Sequence, residues 1–332
     1  MSFVIVVTRA IHPDALSLLN QHGTVRLWDQ PHPIPRGVLQ DWLKDADAAL
    51  TMLTDRIDDG VLNDASSLRV VSNMAVGYDN LDLVALTHHG ILATNTPDVL
   101  TEATAELTWA LILALLRGLV PSREALLAGE WTSWSPDAFL GTEVSGKTLG
   151  IVGLGRIGLA VARRSPAFNV RAVALESGKA VPHASPFPRL PRREFLESAD
   201  IVSLHVPLTA STRHLVNREW LDAMKSGSFL VNTARGAIVD ELALKEALDS
   251  GKLAGAALDV FNEEPINGHH PLASHPRVLA TPHIGSATYE TRRQMALRAA
   301  GNLVTALSGK RPPDLLNGEA WPGRTQRFLN DG

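Results

Sequence analysis

The sequence predicts an α/β protein built from two doubly wound parallel-sheet domains. Three observations carry that prediction. Short apolar runs rich in β-branched residues alternate with helical patterns along most of the chain, which is how parallel strands covered on both faces read. One such run ends in glycines at a fixed spacing that opens a helix. The chain has 332 residues, too many for one ordinary domain and about right for two.

Taken in order, strands are expected over residues 3–8, 25–28, 48–53, 69–74 and 91–95. Helices are expected between them over 13–21, 35–45, 60–66 and 81–88. Residues 1–98 thus read as a small domain with no glycine fingerprint of its own. A long helix should follow from Thr101 to Leu116 and continue past Pro121 to about residue 128. The segment 129–141, GEWTSWSPDAFLG, reads as an irregular loop carrying Trp131 and Trp134. The second domain spans 99–288, with strands over 148–152, 170–175, 201–205, 228–232, 254–259 and 278–281. Its helices fall near 192–198, 217–224 and 240–249. Four prolines mark 180–191 as a surface loop. A helix near 288–308 returns to the first domain, so 289–332 belongs with 1–98. The tail from 312 has no clear period and reads as an arm or a partly disordered segment.

Composition excludes several classes. Apolar residues make up 45% and charged residues 20%, as in a soluble globular chain with ample core. The net charge of −4 gives no nucleic-acid footprint. There is no cysteine, which rules out disulfides, thiolate metal sites and a cysteine nucleophile and suits a reducing cytoplasm. No metal site is expected. The N-terminus lacks a basic region before its short apolar run, unlike a signal peptide. The longest apolar run, 109–116, is far too short to span a bilayer.

The most informative stretch is TLGIVGLGRIG, residues 148–158. Gly153 should make the tight turn and Gly155 should let the backbone approach a pyrophosphate. Gly158 should let helix and strand pack closely. The phosphates would sit on free N–H groups at the helix start, where Arg156 and Ile157 lie. A second strand ends at Glu176, about 20 residues on, where an acid can bind ribose hydroxyls. This is the Rossmann pattern, and it calls for a dinucleotide.

Three polar residues follow second-domain strands: Arg235 in VNTARGAIVD, Glu264 in LDVFNEEP and His283 in TPHIGSAT. In an open parallel sheet, ligands bind beyond the carboxyl ends of strands, so these segments can converge. Hydride transfer to a 2-oxo acid needs a cation for the carboxylate and carbonyl, and an arginine fork supplies one. It needs an acid/base near neutral pH, which histidine supplies. A carboxylate that orients the imidazole and favours its charged form completes the set. Taken singly, each has a plainer reading: a turn histidine, a surface cation, a solvated acidic pair Glu263–Glu264.

Those motifs carry a resemblance. GLGRIG, SLHVPLT, LVNTARGAIVD, LDVFNEEP and TPHIGSAT occur in the order and spacing of the D-isomer-specific 2-hydroxyacid dehydrogenase family, over nearly the whole chain. VVSNMAVGYDNLD and NTPDVLTEATAELT most resemble its glyoxylate/hydroxypyruvate reductase branch. The resemblance implies a flavodoxin-like substrate domain beside the Rossmann domain. It implies Arg235 as the substrate-binding arginine, Glu264 as the acid paired to histidine and His283 as the general acid/base. Asp259 would meet the nicotinamide amide, Val206 and Pro207 the adenine side, and Thr104 the cofactor from the crossing helix. Thr212, Thr233, Ala234 and Gly285 complete the implied cofactor set. Val76 and Gly77 match a loop whose N–H groups hold the substrate carboxylate, and Trp134 is expected at the substrate pocket. A homodimer through the cofactor domains is implied as well.

Glu176, followed by Ser177, Gly178 and Lys179, favours NAD over NADP, because a carboxylate repels a 2′-phosphate. Lys179 leaves room for NADP. The expected activity is NAD(P)H-dependent reduction of a small 2-oxo acid such as glyoxylate or hydroxypyruvate. The alternatives are a co-repressor-like NAD(H) sensor on the same fold, or a dehydrogenase for D-lactate, 2-ketogluconate, phosphoglycerate or phosphite. Phosphite enzymes carry a lysine where this chain has Val76.

Overall fold

The computed structural model describes residues 2–176 and 185–323. It divides into two compact units, Met1–Leu100 with Ser286–Gly332, and Thr101–Gly285.

The first unit opens with β1 (Phe3–Val7), α1 (Pro13–Asn20), β2 (Gly23–Leu27), α2 (Arg36–Leu43) and β3 (Ala48–Thr51). It continues with α3 (Asp59–Leu62), β4 (Val70–Asn73), α4 (Leu83–His88) and β5 (Leu92–Thr94). The five strands are parallel in the order β2-β1-β3-β4-β5. The order reverses between β1 and β3, and loops leaving the carboxyl ends of these strands therefore border a crevice. Strands β3, β4 and β5 are buried throughout, which is why they read as unbroken apolar runs.

The second unit contains α5 (Thr101–Leu116), α6 (Leu119–Leu127), β6 (Thr148–Val152), α7 (Arg156–Arg164) and β7 (Arg171–Leu175). Then come β8 (Arg189–Leu190), α8 (Arg192–Ser198), β9 (Ile201–Leu204), α9 (Arg218–Ala223) and β10 (Ser228–Asn232). It closes with α10 (Glu241–Asp249), β11 (Leu253–Leu258) and β12 (Val278–Ala280). Its sheet runs β12-β11-β10-β9-β6-β7-β8. The strand period of two splits the core. Leu149, Ile151, Ile201, Val231 and Ala257 pack with Trp109 and Ile112 of α5 and Val161 of α7. Val152, Val202, Leu204, Leu230 and Leu258 pack on the other face with Phe195, Trp220 and Leu244.

The first unit is completed by α11 (Tyr289–Leu307) and α12 (Ala320–Gly323).

Three expectations need correction. The helix from Thr101 does not continue past Pro121: it breaks after Leu116, and α6 leaves at 59°. Gly118 takes a left-handed conformation there, φ +58°, which a side-chain-bearing residue avoids. The returning chain then takes the freed carbonyl, with Thr142 N donating to Leu116 O at 2.7 Å. The proline-rich loop contains a strand, β8, which adds to the β7 edge in parallel register. The tail is not an arm over its described part. Leu316 N donates to Ala93 O at 2.8 Å. The Asn317 side chain accepts from Ala93 N and donates to Ile91 O. One buried amide does this work, so no period announces it.

Among the described residues, no single helix is long and apolar enough to cross a membrane. The bent pair of α5 and α6 passes on composition alone, but α5 is buried in the core of the second unit.

Candidate active site

Strand register places most of the expected residues on one line. Val152 pairs with Leu204, Leu204 with Asn232, Asn232 with Leu258, and Leu258 with Ala280. These five neighbours lie level across the sheet, each at or near its strand's carboxyl end. The next residues are Gly153, His205 with Val206, Thr233 to Arg235, Asp259, and Thr281 to His283. Parallel pairing is what brings segments more than 100 residues apart in sequence to one edge. Continuing the β6–β7 register by two residues from Ile151↔Ala174 sets Glu176 level with Gly153.

At the near end is the glycine turn. Gly153 has φ +99°, and a Cβ there would lie 2.7 Å from His205 O. A Cβ on Gly158 would lie 2.1 Å from Gly153 O. The fold itself needs both glycines. Gly155 differs, since a Cβ there meets nothing within 4 Å. It caps α7 at its N-terminus with no side-chain hydrogen bond. Its bare backbone leaves room for close approach by a ligand at the positive end of a nine-residue helix. These residues fit a dinucleotide pyrophosphate. Glu176 is exposed at the end of β7, and its N–H donates to Leu190 O. Ser177, Gly178 and Lys179 lie outside the described residues. Further along the edge, Thr212 Oγ1 donates to Pro207 O at 2.6 Å and accepts from Thr209 N, which folds the 207–212 loop after Val206.

At the far end, His283 Nδ1 lies 2.6 Å from Glu264 Oε2. The other Glu264 oxygen accepts from Phe261 N at 2.9 Å. Glu264 is thus the residue that meets His283; Glu263 is exposed beside it. Burial works against the Glu264 charge. The His283 hydrogen bond and charge, the Phe261 N–H and the Arg235 charge outweigh it, holding the carboxyl below its ordinary range. Arg235 follows β10 and donates from Nη1 to Ala234 O at 2.8 Å. Asn232 Nδ2 fixes the Arg235 carbonyl at 2.9 Å. Gly236 then lies so close to Phe261 that a Cβ would fall 1.8 Å from its carbonyl carbon. That contact brings the Arg235 segment against the Glu264 segment.

His283 has φ +54°, a left-handed backbone costing a non-glycine residue roughly 1–2 kcal/mol. Asp259 holds it there. His283 N donates to Asp259 O, and the Asp259 carboxylate accepts from Thr281 Oγ1, Ile284 N and Gly285 N at 2.6–2.8 Å. Hydrogen bonds to a charged group contribute about 1.5–3 kcal/mol each, so the set outweighs the strain. Asp259 is 1% exposed, and burial raises its carboxyl above the usual range despite those donors.

Helix α5 fastens both segments. Thr104 Oγ1 donates to Gly285 O at 3.1 Å, and the Thr108 and Thr233 hydroxyls meet at 3.1 Å. Thr108, Thr281 and Asp259's hold on the turn were not legible in the motifs; hydroxyls on a buried helix face are the only trace they leave in sequence.

His205 also reaches this edge, with Nε2 2.8 Å from Ser203 Oγ. Burial pushes it down to about 3, so it stays neutral near pH 7 and is no acid/base. In the first unit, Val76 and Gly77 lie on the loop after β4. Trp134 is 80% exposed on the loop after α6. Among the described residues, no group of three or more His, Cys, Asp or Glu could hold a metal.

Comparison with known proteins bears on the same residues. A family model described as "D-isomer specific 2-hydroxyacid dehydrogenase, NAD binding domain" matches residues 109–285. A glyoxylate reductase from Aeropyrum pernix is 47% identical over 98% of both chains. The TT0316 protein from Thermus thermophilus superposes with TM-score 0.89 at 44% identity, covering 94% of this chain and 99% of its own. An NADPH-dependent glyoxylate/hydroxypyruvate reductase from Sinorhizobium meliloti, solved with NADP and malonate, gives 0.84 at 32% identity, covering 96% and 98%. With its glycine turn, its acid–histidine pair and these matches over nearly its full length, the chain belongs to the D-isomer-specific 2-hydroxyacid dehydrogenases, enzymes that depend on NAD(P).

Proposed function

We propose that the protein reduces a small 2-oxo acid, glyoxylate or hydroxypyruvate, to the D-2-hydroxy acid, with NAD(H) as the preferred cofactor. The observation that carries this reading is the His283–Glu264 pair at 2.6 Å, on the same sheet edge as the glycine turn. Gly153, Gly155, Gly158 and Glu176 would hold the dinucleotide, with Thr104, Val206, Pro207, Thr212, Thr233, Ala234 and Gly285 around it. Bound there, the nicotinamide supplies the hydride. With Nδ1–H donated to Glu264, His283 keeps Nε2 as the exchanging nitrogen. In reduction it gives a proton to the substrate oxygen, and in oxidation it takes one back. Arg235 offers its guanidinium fork to the carboxylate and carbonyl. The N–H groups of the Val76–Gly77 loop offer the carboxylate further donors.

The assembly we infer is a homodimer through the second unit. No residue of α6 is buried, and Leu119, Leu126, Leu127, Trp131 and Leu140 are all more than half exposed. Exposed apolar side chains gathered on one segment are what a self-complementary interface covers. A cytoplasmic location accords with the cysteine-free sequence.

The test is NADH and NADPH oxidation with glyoxylate, hydroxypyruvate, pyruvate and phosphohydroxypyruvate at micromolar enzyme. Turnover with glyoxylate or hydroxypyruvate is expected; binding of NADH without turnover of any acid would refute the reading.

A further inference from the structure

The loop after β4 is held by three side-chain amides. Asn95 Nδ2 donates to Val76 O at 2.8 Å, and Asn73 Nδ2 donates to Gly77 O at 3.0 Å. Asn73 is completely buried and Asn95 nearly so. Both peptide bonds that follow these carbonyls are trans, the described chain's cis bond lying at Glu264–Pro265. In a trans peptide the N–H points opposite to the C=O. Fixing the carbonyls of Val76 and Gly77 against the protein therefore turns the N–H groups of Gly77 and Tyr78 the other way. Among the described residues, neither N–H is given an acceptor by the backbone bonds of this loop.

Asn80 locks this arrangement. It exchanges amide bonds with Asn73 at 3.1 and 3.2 Å. Its Nδ2 also donates to Met52 O at 3.1 Å and Asp55 O at 2.9 Å. The turn that Asn80 grips is held from its other side by the buried Asp55 carboxylate, which accepts from Met52 N at 2.8 Å and from the Thr8 hydroxyl. Loops from the ends of β1, β3 and β4 are thereby joined into one frame, beside the point between β1 and β3 where this sheet's order reverses.

We propose that Asn73, Asn80 and Asn95 are positioning residues for substrate binding: by fixing the carbonyls of Val76 and Gly77 they set the N–H groups of the Val76–Gly77 loop for the carboxylate of the 2-oxo acid. This rests on the functional reading above, in which that loop meets the substrate.

The experiment compares Asn80→Asp, Asn95→Asp and, as a control on the reading itself, Arg235→Gln. A carboxylate of the same shape cannot donate to the Met52, Asp55 or Val76 carbonyls. In both Asp variants KM for glyoxylate should rise at least about tenfold, as for loss of a hydrogen bond to a charged group. The inhibition constant of oxalate, which has carboxylates but accepts no hydride, should rise in parallel. The Kd for NADH, measured by fluorescence on the enzyme without acid, and kcat at saturating glyoxylate should stay near wild type. Unchanged KM in both Asp variants, with Arg235→Gln impaired, would overturn the positioning role and leave the functional reading standing. Wild-type kinetics for Arg235→Gln would overturn the functional reading. Parallel loss of NADH binding and circular-dichroism signal in both Asp variants would show a merely structural role, and so also overturn the proposal.

Discussion

His283 Nδ1 and Glu264 Oε2 lie 2.6 Å apart, although each residue is set by a different strand and the two are 19 positions apart. The Glu264 side chain is fixed first, by Phe261 N. The His283 backbone is fixed independently, by Asp259. The pair is therefore aligned before any substrate arrives, which is the condition under which a positioned acid/base is effective.

Replacing His283 tests the acid/base directly. His283→Ala should lower kcat by about 100-fold or more, the usual contribution of a positioned acid/base, with NADH binding retained. Near wild-type kcat in a folded His283→Ala enzyme would sink the assignment.

Glu264→Gln keeps the shape and removes the charge. Without the carboxylate charge the pair keeps a hydrogen bond but loses its ion-pair character, so kcat should fall while the Kd for NADH holds. The stability consequence has a definite sign. A carboxyl held below its ordinary range contributes stability that is fully present above that range and lost as pH falls through its native value. Wild type should thus exceed Glu264→Gln in Tm at neutral pH, and the gap should close under acid conditions. An unchanged kcat and a pH-independent gap would count against the pair.

Cofactor choice should follow Glu176. Its carboxylate would accept from both ribose hydroxyls, whereas a 2′-phosphate would bring about two negative charges against it. We expect NADH to be preferred by roughly 100-fold in kcat/KM. Glu176→Ser should improve NADPH use and weaken NADH use. Equal use of both cofactors by the wild type would defeat the argument.

Variants at Trp134 and Leu127 test the proposed substrate-pocket role and the proposed interface separately. Leu127→Asp places a charge in the apolar arm and should convert a dimer to monomer in sedimentation or light scattering. Trp134→Ala should alter preference among 2-oxo acid side chains more than NADH affinity. Equal losses for every acid would mean that Trp134 only packs the arm.

By itself the sequence determined the architecture and the chemistry's raw materials. Buried parallel strands have to be continuous apolar runs, so β3, β4, β6, β9 and β10 were legible. A glycine turn between strand and helix has few alternatives, so the dinucleotide end was legible too. Arg235, Glu264 and His283 stood out because charged groups directly after apolar strands are conspicuous. Only the tertiary structure decided what holds them. The level row from Val152 to Ala280 is a matter of register, which no local pattern encodes. The choice of Glu264 over its neighbour depends on where the Phe261 N–H points. Asp259 clamps the His283 turn, Thr104 and Thr108 fasten two distant segments, and Asn73, Asn80 and Asn95 set the loop of the first unit. Each of these acts through a few directional hydrogen bonds between segments that no local pattern relates. Such bonds leave no periodicity, and an asparagine that shapes a loop reads in sequence like any asparagine in a turn.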